Sequence, residues 1–168
     1  MFPSSGVANV FVRIDDGPWE TYSGAVTFAE GRHVLGFRAT DNAGNEESAK
    51  IVTIRIDQTP PTLTCTVTPN ILWPPNGKMA TVTASVTVAD DVSGPSGFVL
   101  TAVTSNEPGS GQINGFTIGT PSTRGQLQAA RLGPGTGRIY TLTYTGTDQA
   151  GNSATCNATV TVPHDQGR

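Results

Sequence analysis

Thr40–Asn45 reads TDNAGN and Thr147–Asn152 reads TDQAGN. Each follows an alternating apolar run, HVLGFRAT or RIYTLTYTGT, and precedes another, ESAKIVTIRI or SATCNATVTV. Apolar residues at period two on both sides of a short polar segment are the pattern of a β-hairpin. Asp and Asn carry short side-chain acceptors for nearby backbone donors, and Gly tolerates positive φ, so D-x-A-G-N is a turn with a mechanism. Eight residues before the motif Asp stands His33 in one copy and Tyr140 in the other; four before it stand Phe37 and Tyr144. The copies share a register as well as a turn, and the chain reads as two copies of one β architecture.

Composition agrees. Twenty Gly and twelve Pro punctuate short apolar runs rich in Thr and Val, with no amphipathic helical period, which argues for all-β sandwiches. A net charge of -3 gives no basic footprint for nucleic acid, and no apolar stretch reaches the roughly 20 residues of a membrane-spanning helix. The opening MFPSSG has neither the basic region nor the apolar core of a secretory signal, so a signal is expected only upstream, in a longer precursor. Elbow, zincin and P-loop motifs of catalysis do not occur, and the chain reads as not an enzyme.

The segment DQTPPT at Asp57–Thr62 holds an extended path and lacks two amide donors, which makes it a short stiff joint. The domains read as residues 1–57, a Pro-rich linker at 58–62, and residues 63–168. In the first, strands are expected near Val7–Ile14, Trp19–Tyr22, Ala25–Phe28, Arg32–Thr40 and Ser48–Ile56. In the second they are expected near Thr62–Val67, Ala80–Ala89, Phe98–Ser105, Gly115–Ile118, Gln126–Arg131, Arg138–Thr145 and Ser153–Val162.

An aromatic strand, a D-x-A-G-N turn and a Thr/Val-rich last strand resemble the end of bacterial extracellular immunoglobulin-like modules. SGVANVFVRIDDGPWETYSG and IDQTPPT carry the resemblance in the first domain; LTCTVTPNILWPPNGKM, VADDVSG, VTSNEP and VPHDQ carry it in the second, which is similar to a hyalin repeat. The resemblance implies two tandem immunoglobulin-like β-sandwiches. It also implies that SGV enters a third strand, so that the first sandwich lacks its first two strands, either because the chain is cut from a longer array or because another chain supplies a strand. It further implies a Cys65–Cys156 disulfide; two buried thiols are the other reading.

In immunoglobulin strand order Asp90, Asp91 and Asp148 fall at the end of the second domain nearest the linker. Asp15 and Asp16 of the DDG turn, with Asp57 in the joint, are their expected neighbours. Carboxylates gathered between modules resemble the calcium joints of adhesin rods and make calcium the candidate cation; turn chemistry explains the same acids without a metal. The loop SNEPGSGQINGF keeps one acid, Glu107, and reads as a poor calcium loop. Trp19, Tyr22 and Trp73 are the candidate sugar-stacking rings, each with a packing explanation as well, and Tyr140 is placed to act as a tyrosine corner. The expected function is a structural spacer of a secreted or cell-surface protein, forming a stiff rod with neighbouring immunoglobulin-like domains. A filament subunit joined to identical chains by strand complementation and a glycan-binding module are the alternatives.

Overall fold

The computed structural model describes residues 5–165, and every regular element among them is a β-strand. The chain divides into two compact units, Met1–Gln58 and Thr59–Arg168.

Unit 1 is a single antiparallel sheet. Strands β1 (Val7–Ile14), β2 (Glu20–Thr21), β3 (Gly31–Asp41) and β4 (Lys50–Ile56) lie in the order β2-β1-β3-β4. Ala25–Phe28, expected as a strand, forms none; it runs as an irregular segment from which Phe28 packs on the His33 ring at 5.3 Å. Apolar alternation alone does not make a strand, because a ladder needs a neighbour to receive its hydrogen bonds. On one sheet face the Trp19 ring lies against Gly36, where an added Cβ would stand 3.1 Å from Cη2. The guanidinium carbons of Arg38 and Arg13 lie over that ring at 4.6 and 5.2 Å.

Unit 2 is a two-sheet sandwich. Its strands are β5 (Thr62–Thr68), β6 (Met79–Ala89), β7 (Pro95–Ser105), β8 (Ile113–Asn114), β9 (Arg124–Gln128), β10 (Gly137–Asp148) and β11 (Ser153–Pro163). One sheet has the order β5-β6-β9-β8 and the other β11-β10-β7. With the strands lettered A to G in chain order, these are ABED and GFC, the constant-type immunoglobulin arrangement. The third and fourth strands of the sequence reading correct to Pro95–Ser105 and Ile113–Asn114. Gly115–Ile118 is not a strand because Gly115 and Gly119 turn at φ 75° and 80°, and the Phe116 ring folds down onto Gly125.

The core follows from strict alternation. Along β10, Tyr140, Leu142 and Tyr144 point inward and are wholly buried; Val82, Leu100, Leu127, Val160 and Val162 meet them. Each such aliphatic side chain contributes about 1.5–3 kcal/mol of burial free energy. Gly146 continues the inward row, and its missing side chain admits Leu63, whose Cδ1 would lie 2.7 Å from a Cβ there. Cys65 of β5 and Cys156 of β11 are bonded, joining the two sheets across a sequence separation of 91 residues. Such a loop is worth on the order of 4–5 kcal/mol in the chain-entropy account.

Tyr140 closes the corner between β9 and β10, its hydroxyl donating to the Gln128 carbonyl at 2.8 Å, as the tyrosine-corner reading expects. Tyr144 donates to Ser122 O at 3.2 Å. Tyr140→Phe removes one of the two donors to that carbonyl, which keeps the Ala130 amide at 2.8 Å, and should cost about 1 kcal/mol. Urea unfolding should show a lower midpoint at unchanged slope, with a smaller loss for Tyr144→Phe, whose bond is longer.

Candidate functional site

The two D-x-A-G-N turns use the same atoms. The Asp41 amide donates to Asn45 O at 3.0 Å, and that of Asp148 donates to Asn152 O at 3.1 Å. Asp41 Oδ1 accepts the Asn45 amide at 2.8 Å and Oδ2 accepts Asn45 Nδ2 at 2.8 Å; the corresponding bonds from Asn152 to Asp148 are 2.8 and 2.9 Å. Gly44 and Gly151 take φ of 86° and 96°, which is why glycine stands at the fourth place of the motif. The Asn45 side-chain bond, then those from the Ser5 side chain and from backbone amides, hold the Asp41 carboxyl down at about 2. For Asp148, burial raises the carboxyl, but the Asn152 side chain and three backbone amides outweigh it, and the net shift is downward.

The other acids are also engaged. Asp90 and Asp148 stand together in unit 2, with carboxylate oxygens within 4.8 Å of one another. Asp90 Oδ1 accepts the amides of Val92, Ser93 and Gly94 at 3.2, 2.8 and 2.7 Å, and the Ser93 hydroxyl at 3.3 Å. Turn chemistry, the other reading of these acids, accounts for Asp90 Oδ1 and for both oxygens of Asp148. Asp91 is exposed. Asp15, Asp16 and Asp57 belong to unit 1. Asp15 holds the β1–β2 turn, accepting the Val34 amide at 2.8 Å and pairing with His33 Nδ1 at 3.0 Å. His33 is therefore structural, its pKa raised by the Asp15 bond and by one to Ala29 O.

The residue that sequence reasoning missed is Arg138. It is 1% exposed, and its guanidinium collects five oxygens of the 105–112 loop. These are Ser105 Oγ, Gln112 Oε1, the carbonyls of Glu107 and Pro108, and the Glu107 carboxylate at 3.2 Å. Its partners lie 26 to 33 residues upstream, beyond the reach of any local pattern. Glu107 also accepts the Leu132 amide at 2.8 Å. Such a loop carries its own cation.

The three candidate rings part company. Trp19 is half-buried under the two arginines, which ties it to packing, whereas Tyr22 and Trp73 are 48% and 44% exposed. Trp73 borders a groove of about 250 Å³ with Ile71, Pro74 and Asn76.

No family model matches the sequence, and no curated protein does. Among solved structures, the fibronectin(III)-like modules of Clostridium thermocellum CbhA align over 100% of this chain and 85% of theirs at 12% identity and a TM-score of 0.37. The D00-D0 domain of intimin aligns over 95% of this chain and 87% of its own at 13% identity and a TM-score of 0.33. The immunoglobulin-like assignment rests on the strand order within unit 2.

The turn geometry sets a pH dependence. Both motif carboxyls are depressed on folding, so their stabilisation is complete above the ordinary carboxyl value of 3.8 and is lost as pH falls through the folded value, about 2 for Asp41. Melting temperature should be insensitive to these groups above about pH 5 and fall from about pH 4 to about pH 2. Asp41→Asn and Asp148→Asn should each flatten that fall, and an unchanged slope would refute the assignment.

Proposed function

We propose that this chain is a non-catalytic structural link of a secreted or cell-surface protein, one module in a series that carries tension or sets distance. One observation carries the reading. In unit 2 the segment that brings the chain in and the strand that takes it out run side by side in the same direction, and a disulfide fastens them together. Ile71 and Thr161 form a parallel bridge, with Leu72 N donating to Thr161 O and Thr161 N to Asn70 O, both at 2.9 Å. Were that disulfide open, pulling on the two ends would load those hydrogen bonds together, in shear, rather than opening them one at a time. While intact, the Cys65–Cys156 bond carries the load itself and shields the 91-residue span from extension.

Two further observations favour it. A disulfide persists in oxidising, extracellular surroundings. The buried polar and ionisable side chains, Arg138, Asp148, Tyr140 and Tyr144, all hold the fold's own backbone or loops.

Single-molecule extension of the intact chain tests the proposal. Under oxidising conditions unit 2 should yield only the short lengths outside the staple. After reduction it should release about 300 Å more, the reach of 91 residues at roughly 3.4 Å each. Equal lengths in the two states would remove the staple from the load path and overturn the reading.

A further inference from the structure

The register of unit 1 sorts its side chains into two unlike faces. Arg13, Arg32, Arg38 and Arg55, all the arginines of the unit, fall on one face with Phe11, Val34, Ile51 and two threonines. The other face carries Val10, Val12 and Ile14 from β1, Leu35, Phe37 and Ala39 from β3, and Val52, Ile54 and Ile56 from β4. In unit 2 the matching face, built on Tyr140, Leu142 and Tyr144, lies beneath a second sheet of the same unit. Among the described residues of unit 1 no strand lies over the apolar face. Phe28 closes one end of it against His33, while Val10 and Ile14, each 37% exposed, and Val52, 46% exposed, stay open to water. An aliphatic sheet face left in water is a surface that pairs.

Its charges say with what. Register runs straight across the sheet from Glu20 to Val12, from Val12 to Phe37, and from Phe37 to Lys50. One row thus begins with an acid on the β2 edge, crosses two apolar side chains and ends with a base on the β4 edge. A two-fold axis parallel to the strands, lying between two such sheets, sets β4 of one copy over β2 of the other. It turns this row onto its own reverse, with Lys50 facing Glu20 twice and Val12 and Phe37 enclosed between. The face is complementary to itself in charge as well as in hydrophobicity, the requirement of an isologous dimer.

We infer that unit 1 docks a second copy of this chain through the apolar face of β1, β3 and β4, with Lys50 of each copy paired to Glu20 of the other. The two sheets would lie about 10 Å apart at the aligned packing angle of sandwiches. The Lys50 side chain, now 61% exposed and paired with Glu47 at 2.5 Å within its own chain, is long enough to turn to the new partner. Three strands about 4.8 Å apart and about seven residues long, with the two residues of β2 beside them, offer roughly 350 Å² of flat face per copy. That lies below the standard size of specific interfaces and points to weak association, with a dissociation constant of about 100 μM.

Sedimentation of the intact chain across a concentration series tests this. The mass should rise from 17.4 kDa toward twice that value. Lys50→Glu and Glu20→Lys each place like charges at two symmetric points and should weaken association by about tenfold or more. The double variant Lys50→Glu/Glu20→Lys should restore it to within about threefold, and because both positions are exposed, thermal melts should show all three variants folded. A mass fixed at 17.4 kDa up to hundreds of micromolar would overturn the inference. So would a dimer that ignores the single swaps or is not rescued by the double one, since association would then run through the free edge of β4 or another surface.

Discussion

A sheet with one aliphatic face has to be covered, and that constraint organises the whole chain. In unit 2 the cover is internal. β10 presents Tyr140, Leu142 and Tyr144, and the sheet of β5, β6, β9 and β8 closes over them. The remaining features of the unit maintain that closure: the Cys65–Cys156 bond ties the sheets at one margin, Gly146 lets Leu63 come close, and the Tyr140 hydroxyl pins the corner where the chain crosses between them. In unit 1 the same kind of face is built by the same kind of hairpin, with its apolar row on β3 set by the same distance from the motif aspartate.

What the sequence disclosed was whatever chemistry writes locally. The D-x-A-G-N turns were legible because each is fixed by an aspartate and an asparagine four residues apart and by a glycine forced to positive φ. The long strands β3, β6, β10 and β11 were legible from alternation. Ala25–Phe28 misled because it alternates without a partner, and Gly115–Ile118 because two positive-φ glycines and the inward swing of Phe116 break a run that looks extended. The acids were visible as a class but not in their use. That Asp90 gathers three amides and Asp15 braces Val34 and His33 depends on the path of the backbone, which composition does not reveal.

Arg138 shows the limit of such reading most clearly. A charged residue on a strand of alternating polarity reads as surface, yet its place in the alternation points inward, in line with Tyr140 and Leu142. Burying a guanidinium is costly unless its donors find oxygens. Here the loop that leaves the adjacent end of β7 bends over and supplies them to both terminal nitrogens. The expectation read this loop as poor in acids, and the guanidinium that gathers its oxygens was not visible in it.

That arrangement also frees the loop from its surroundings. A loop ordered by a dissolved ion loosens whenever the ion is diluted or sequestered, so its shape reports the composition of the medium. A loop ordered by a guanidinium tethered to β10 has a counter-charge at fixed stoichiometry, present from the moment the strand forms.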